Sequence, residues 1–181
     1  ASRQSTMPRS YWSWGEMIGP NAGGYFPYTP GTNLLYGLNE AIDMLHEEGL
    51  ENVFARHARH GTATRAAVRA WGLDVLCRQQ GQESGVLTAV MMPEGQSADG
   101  FRATVLDHFD LSLGNGLSKV ADKVFRIGHL GDFNDLMLMA TLSGVEMGLQ
   151  VAGVPHQAKG AQVAMEYLTK TAGEGVAAAA S

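Results

Sequence analysis

The chain has 181 residues, of which 45% are hydrophobic and 17% are charged, a composition typical of one globular domain or of one domain plus part of another. Its formal charge of −5, without a run of Lys or Arg, argues against a nucleic-acid partner. No segment approaches the roughly 20 apolar residues that span a bilayer, and the lone Cys77 cannot form an internal disulfide, so we expect no membrane partner and a cytoplasmic location.

Two helices are predicted in the first half of the chain by apolar residues at three- and four-residue spacing. The first covers residues 34–48, with Asn33 or Thr32 as its cap and Gly49 as its end, and its apolar face comprises Leu34, Leu38, Ala41, Ile42 and Leu45. The second covers residues 51–71. Its inward residues are predicted to be Phe54, Ala58, Gly61, Val68 and Trp71, and its mostly outward residues Arg56, Arg59, Arg65 and Arg69.

Strands and helices alternate in the second half. The apolar run 85–93 predicts a strand, and Ser97 can cap a following helix that contains Phe101 and Val105. "FDLSL" (109–113) predicts a weaker strand and "KVFRIGHLGD" (123–132) another, after which Asp132 can cap a helix. That helix carries small residues every fourth position, a ridge suited to close packing, formed by Ala140, Gly144, Gly148 and Ala152. Residues 172–181 are expected to be a frayed tail, and the fold class is α+β, with short strands covered by helices.

Arg126 stands inside an apolar strand, in "VFRIG". A buried guanidinium without a partner costs several kcal/mol. One interpretation is a structural ion pair with Asp110, Asp132 or Asp135. The other is a carboxylate-binding role, because arginine binds carboxylates through two parallel bonds.

The stretch "GGYFPYTPGT" (23–32) combines stiff prolines, permissive glycines and several hydroxyl groups in front of the first helix. The hydroxyls of Tyr25, Tyr28, Thr29 and Thr32 are donors suited to phosphate oxygens. The alternative is a tight crossing loop whose tyrosines pack at an interface.

Other motifs are weak. "LSLGNGLSK" (111–119) lacks the spacing of a phosphate-binding loop and is better explained as a turn. The six histidines show no metal-binding spacing, so no metal site is expected, and His57 with His60 is interpreted as a surface pair. No serine has a nucleophile-elbow motif around it.

Several strings in the same order resemble one family: "SYWSW", "GYFPYTPGTNLLYGLNEAIDML", "EEGLENVFARHAR", "AVRAWGL", "FDLSLGNGL" and "KVFRIGHLGD". Together they are similar to the C-terminal half of serine–glyoxylate aminotransferases, in the class V group that includes alanine–glyoxylate aminotransferase. The resemblance runs from about residue 8 to 155. It implies a pyridoxal 5'-phosphate enzyme of fold type I, the aspartate aminotransferase fold, usually a homodimer, acting on a small amino acid and a 2-oxo acid, glyoxylate.

The resemblance also implies roles for named residues. Thr29 and a tyrosine, either Tyr25 or Tyr28, match the residues of a loop that crosses to the neighbouring subunit and binds the cofactor phosphate. Arg126 matches the arginine that holds the substrate carboxylate. Residues 1–50 would be the end of the large cofactor domain, 51–155 the small α+β domain, and 156–181 a tail.

One departure concerns catalysis. In the family the Schiff-base lysine precedes "SYW" and is followed by a glycine, whereas the lysines here are all downstream of that segment: Lys119, Lys123, Lys159 and Lys170. No catalytic residue is therefore assigned, and the chain alone, as a fragment, is expected to be inactive. The alternative hypothesis is a non-catalytic module, derived from the same family, for dimerisation or for binding small carboxylates.

Overall fold

The computed structural model describes residues 4–8, 10–11 and 13–173. The chain divides into two compact units, Ala1–Glu47 and Glu48–Ser181. The helices are α1 Trp14–Ala22, α2 Thr32–Glu48, α3 Leu50–Ala70, α4 Ala98–Phe109, α5 Asp135–Val151 and α6 Gly160–Lys170. The strands are β1 Asp74–Val75, β2 Leu87–Met91, β3 Gly114–Asn115 and β4 Val124–Gly128.

The first unit contains α1, which the sequence pattern did not predict, and most of α2, which it did. The apolar face predicted for α2 has no partner in the described structure, since none of the helix's residues is buried. Leu34 is 80% exposed and Leu38 55% exposed. Periodicity thus predicted the helix but could not show what covers its face.

The second unit is built on an antiparallel four-stranded sheet in the order β1-β2-β4-β3. Successive side chains of a strand point to opposite faces. In β2, Thr88 and Val90 are buried while the alternate residues Leu87 and Ala89 are half-buried. One face of the sheet therefore belongs to the core and the other is more open.

Helices α3 to α6 supply the rest of that core. The core cluster joins Val90, Phe125 and Ile127 of the sheet to helical residues, the largest of which are Phe101, Leu138, Leu142 and Leu149, and to Trp71 just after α3. The predicted small-residue ridge on α5 is confirmed at two positions. A Cβ built on Gly148 would lie 3.3 Å from Phe101 Cε2, and one on Gly144 would lie 2.8 Å from Leu111 Cδ2.

Of the N-caps predicted for α4 and α5, the first is confirmed and the second is not. Ser97 Oγ accepts a hydrogen bond from the Gly100 amide at 2.9 Å, which confirms the predicted cap of α4. The prediction that Asp132 caps α5 was wrong, because Asn134 Oδ1 accepts from the Met137 amide at 2.9 Å. Asp and Asn are both favourable N-cap residues, and Asn134 is the one that directly precedes α5.

Two further predictions need correction. "FDLSL" forms no strand: residues up to Phe109 belong to α4, and the ladder to β4 is made by Gly114 and Asn115. Residues 156–181 are not simply a tail, because α6 lies within them and buries Ala164 and Leu168. The predicted fraying concerns mainly residues 174–181, which lie outside the described residues.

Candidate functional site

Arg126 occupies the middle of β4, between two small residues. Ala89 of β2 is its register partner on one side and Gly114 of β3 on the other. Its strand neighbours Phe125 and Ile127 are fully buried on the core face. The Arg126 side chain therefore belongs to the more open face of the sheet.

The guanidinium of Arg126 has no ion pair or hydrogen bond to any described residue, and its Nε atom is buried without a partner. The predicted structural partners do not meet it: Asp135 pairs with Arg59, and neither Asp110 nor Asp132 forms an ion pair in the described structure. The residue is half-buried overall. The unpaired guanidinium favours the interpretation that Arg126 binds an anion over the interpretation that it forms a structural ion pair.

The predicted outward arginine Arg59 instead points into a polar cluster with Asp135. Its Nη1 and Nη2 donate to the two Asp135 oxygens at 2.6 and 2.8 Å, and His60 Nε2 lies 2.9 Å from Asp135 Oδ1. The Arg59 guanidinium holds the pKa of the Asp135 carboxyl below its usual value. Burial lowers the pKa of His60, which is fully buried rather than a surface residue as predicted.

The segment between β4 and α5 is held by α3. Arg56 donates to the carbonyls of Gly131 and Phe133 at 2.8 and 3.0 Å, while it pairs with Glu48 at 2.6 Å. His57 Nε2 accepts from the Gly131 amide at 3.2 Å. Phe54 and Ala58, which were predicted to point inward, are exposed instead. The polar face of α3 thus fixes the segment that follows the Arg126 strand.

His129, at the end of that strand, is fully buried. Its Nε2 lies 3.0 Å from Thr88 Oγ1, and its Nδ1 has no partner among the described residues. Burial lowers the pKa of His129 to about 4, and the nearby positive charge of Arg65 acts in the same direction. The imidazole is consequently neutral at pH 7.

The predicted cofactor loop lies in the first unit. Tyr25 is 76% exposed and Tyr28 39% exposed, and Thr29 is exposed too. The Tyr28 hydroxyl is hydrogen-bonded to Ser10 and donates to Glu16 Oε2 at 3.2 Å. Tyr25 and Thr29 make no side-chain hydrogen bond within the described residues, so their hydroxyls are free to bind a ligand.

A cavity of about 240 Å³ lies beside β2, next to the residues described above. Its lining includes Arg65, Thr88 and Ala89, so it contains the register partner of Arg126 and the hydrogen-bond partner of His129, but not Arg126 itself. Within the described residues, no three His, Cys, Asp or Glu side chains are placed to hold a metal ion. Nor does that part of the chain include a helix long and apolar enough to span a bilayer.

Comparison with known proteins gives close relatives but no matching family model. The chain is 45% identical to a serine–glyoxylate aminotransferase of Methylorubrum extorquens over 185 aligned positions, which cover 100% of this chain and 42% of the relative. It is 45% identical to the Arabidopsis thaliana enzyme of the same name, over 93% of this chain and 42% of that protein. The chain is homologous to part of a serine–glyoxylate aminotransferase. It spans about two fifths of the length of these relatives.

Solved structures of class V aminotransferases share the fold. Pyridoxamine–pyruvate aminotransferase from Mesorhizobium loti matches 81% of this chain and 38% of its own, with a TM-score of 0.76 and 31% identity. Ureidoglycine–glyoxylate aminotransferase from Bacillus subtilis matches 79% of this chain and 37% of its own, with a TM-score of 0.74 and 29% identity. The prediction that the chain has an α+β fold, corresponding to part of a fold type I aminotransferase, is confirmed.

Sequence reasoning selected Arg126 but missed the buried polar residues elsewhere in the second unit. The Arg59–Asp135 pair joins positions 76 residues apart, and His129 gains its surroundings only from the folded sheet. One signal was available for His129, because it directly follows an apolar strand and its own neighbour is Leu130.

Proposed function

We propose that this chain is the C-terminal portion of a pyridoxal phosphate-dependent aminotransferase of the serine–glyoxylate type. In the complete enzyme, an amino group would pass from a small amino acid to glyoxylate. The names of the relatives support this proposal, since they include serine–glyoxylate aminotransferases and an L-aspartate–glyoxylate aminotransferase from Paracoccus denitrificans. Among these named relatives the amino donor differs and glyoxylate is shared, whereas the pyridoxamine–pyruvate relative is named for a different 2-oxo acid.

The unpaired Arg126 guanidinium is the observation that carries the proposal. Small amino acids and glyoxylate have one group in common, the carboxylate next to the reacting carbon. A planar guanidinium binds such a carboxylate through two charge-assisted hydrogen bonds, and it orients the reacting carbon as it does so. Arg126 would hold both substrates in turn.

The hydroxyls of the first unit suit the phosphate of the cofactor. When bound, pyridoxal phosphate supplies the electron sink that makes amino-group transfer possible. Tyr25 and Thr29 have free hydroxyls, whereas that of Tyr28 is engaged by Ser10 and Glu16. Between the two tyrosines, Tyr25 is therefore the better candidate to donate to the phosphate from a neighbouring subunit.

In the proposed complete enzyme, the exposed apolar face of α2 would be covered by the rest of the large domain or by the second subunit of a homodimer. Leu34, Leu38 and Ile42 are all more than two fifths exposed, and contiguous apolar surface on a soluble protein marks an interaction site. In this proposal residues 1–50 end the large cofactor domain and residues 51–155 form the small domain, to which α6 adds its packed face. Sedimentation of the chain, compared with that of Leu34→Glu, tests this surface: we expect association that the variant reduces.

A non-catalytic carboxylate-binding module is the second candidate. The second unit has a continuous core of its own, and the chain's lysines all lie downstream of "SYW". Both candidates use Arg126. They differ in activity, because the chain joined to the rest of an aminotransferase would transaminate, whereas a module would bind carboxylates only.

Titration of the chain with glyoxylate tests the role of Arg126. Two charge-assisted bonds of about 2 kcal/mol each would give a dissociation constant on the order of 1 mM. We expect Arg126→Lys to lose this binding and Arg78→Lys, which replaces an exposed arginine, to keep it. Equal affinities of the two variants would contradict the proposed function.

A further inference from the structure

Arg126 lies in a row of three residues that crosses the open face of the sheet. Its neighbours in the row are Ala89 and Gly114, at the paired positions of β2 and β3. Side chains directly opposite each other in an antiparallel pair are about 5 Å apart and normally touch. Here the two positions that flank a long arginine carry the smallest residues available.

The approach on the Gly114 side is particularly close. A Cβ built on Gly114 would lie 3.0 Å from Arg126 Nε, 3.1 Å from Arg126 Cβ and 3.4 Å from Arg126 Cζ. Arg126 Nε is the nitrogen of that guanidinium that is buried without a partner, while Nη1 and Nη2 remain accessible. Gly128, in the same strand, has nothing within 4 Å of a built Cβ.

We infer that Gly114 is a positioning residue for Arg126, because its missing side chain lets the guanidinium lie against β3 with Nε covered and the two terminal nitrogens presented to a carboxylate. The inference rests on the proposed function for the ligand, but its geometry stands on the sheet alone. A carboxylate would then bind end-on, to Nη1 and Nη2, rather than side-on through Nε.

An alanine at position 114 would move the guanidinium. The contact with Arg126 Cβ is relieved by a small separation of the two strands, and the contacts with Nε and Cζ are relieved as the side chain turns its outer atoms away from β3. That rotation exposes Nε and turns Nη1 and Nη2 away from the direction in which they would meet a carboxylate. Bidentate binding depends on direction, so affinity falls although the charge is unchanged.

The wild-type chain gives the first test, by nitrogen-15 NMR of arginine Nε–H groups. Arg126→Lys removes one resonance and so assigns it. We expect the Arg126 Nε–H to exchange with solvent at least about tenfold more slowly than that of the exposed Arg78, because a buried N–H group reaches the solvent that exchanges its proton only when the structure opens. End-on binding also leaves the Nε–H of Arg126 protected when glyoxylate is added. Exchange as fast as for Arg78, or a large downfield shift of the Nε–H on adding glyoxylate, would overturn the inference.

Gly114→Ala gives the second test, with Gly128→Ala as its matched control. We expect Gly114→Ala to displace the Arg126 Nε–H resonance, to speed its exchange and to weaken glyoxylate about tenfold, the loss expected for one misplaced charge-assisted bond, while Gly128→Ala changes none of these. Unchanged resonance and affinity in a folded Gly114→Ala chain would overturn the positioning role. If circular dichroism shows that Gly114→Ala is unfolded, the wild-type exchange result decides.

The two proposals fail in different ways. If glyoxylate does not bind the wild-type chain, the proposed function fails, and a displaced Nε–H resonance in Gly114→Ala still supports the positioning role. If glyoxylate binds and Arg126→Lys abolishes binding, but Gly114→Ala behaves as the wild type, the proposed function stands and the positioning role is wrong.

Discussion

Gly160 packs directly against the indole of Trp71, where α6 approaches the end of α3. A Cβ built on Gly160 would lie 2.5 Å from Trp71 Cδ1 and 2.6 Å from the Ala67 carbonyl oxygen. Both neighbours are fully buried, so neither has space into which it could retreat. The absence of a side chain at residue 160 is what brings the two helices into contact.

Gly160→Ala is therefore expected to destabilise the chain by about 1 to 3 kcal/mol, the typical range for overpacking a well-packed core. Gly37→Ala is the matched control, because a Cβ on Gly37 meets nothing within 4 Å inside helix α2. In that open position alanine should be neutral or stabilise by about 0.5 to 1 kcal/mol. Urea unfolding followed by circular dichroism measures both variants. A Gly160→Ala chain as stable as Gly37→Ala would contradict the packing argument.

Asp135→Asn should destabilise the chain by about 1 to 3 kcal/mol, since it leaves Arg59 and the buried His60 without their carboxylate. The range is kept below that for a fully buried pair because the Asp135 side chain is 42% exposed. Asp99→Asn, in the exposed Asp99–Arg102 pair, is the control and should cost about 0.5 kcal/mol or less. Chemical denaturation at pH 7 compares the two. Equal losses would mean that the cluster around Asp135 is no more than a surface ion pair.

His129 makes stability depend on pH. Its folded pKa of about 4 lies below the unfolded value of about 6.5, so the folded chain resists protonation that the unfolded chain accepts. The contribution of the neutral imidazole to the free energy of unfolding is fully present above pH 6.5 and is lost as the pH falls towards 4. It amounts to about 2 kcal/mol between pH 7 and pH 5.

Denaturation of the wild type, His129→Leu and His108→Leu at pH 7 and pH 5 checks this dependence. Between pH 7 and pH 5 the free energy of unfolding of His129→Leu should fall by about 2 kcal/mol less than that of the wild type. His108 is exposed, and its replacement should keep the full loss. A His129→Leu chain with the same pH dependence as the wild type would show that the buried imidazole is not its source.

Arg126→Lys in the complete enzyme should weaken the amino acid and glyoxylate together. The expected loss in kcat/KM is about 2 to 4 kcal/mol of transition-state binding for each, because lysine keeps the charge but not the planar pair of donors. Cofactor binding should barely change. Steady-state kinetics with both substrates, beside a cofactor titration, measures this. Values of kcat/KM within about twofold of the parent enzyme would show that Arg126 does not bind the substrate carboxylate.

The elements that could be predicted from the sequence are those whose signal is local. The apolar spacing of α2 and α3 and the Ser97 cap of α4 are properties of short segments, and the structure confirms them. Helix α6 was missed because its buried residues, Ala164 and Leu168, are few and spaced among polar residues. Strand β3 has two residues and exists only through its pairing with β4.

The environment of the candidate site depends on distant pairings in the same way. The sequence placed Arg126 in a strand but left open whether an acid answers it, and only the fold shows that Asp135 is engaged by Arg59 instead. Gly114 gave no signal, since a glycine in "SLGNG" is typical of a turn. Its importance follows from its register with Arg126.

Helix α6 is held at both ends by charges that match its dipole. At its start the Glu146 carboxylate accepts from the amides of Lys159 and Ala161 at 2.6 and 2.8 Å, and at its end Arg59 donates to the Leu168 carbonyl and to Thr171 Oγ1, both at 2.7 Å. A negative group at the amino end and a positive group at the carboxyl end both stabilise a helix. Because these groups come from α5 and α3, α6 cannot unwind without breaking contacts of the core. In hydrogen exchange its amides should open together with those of α3, so this late helix unfolds as part of the domain and not before it.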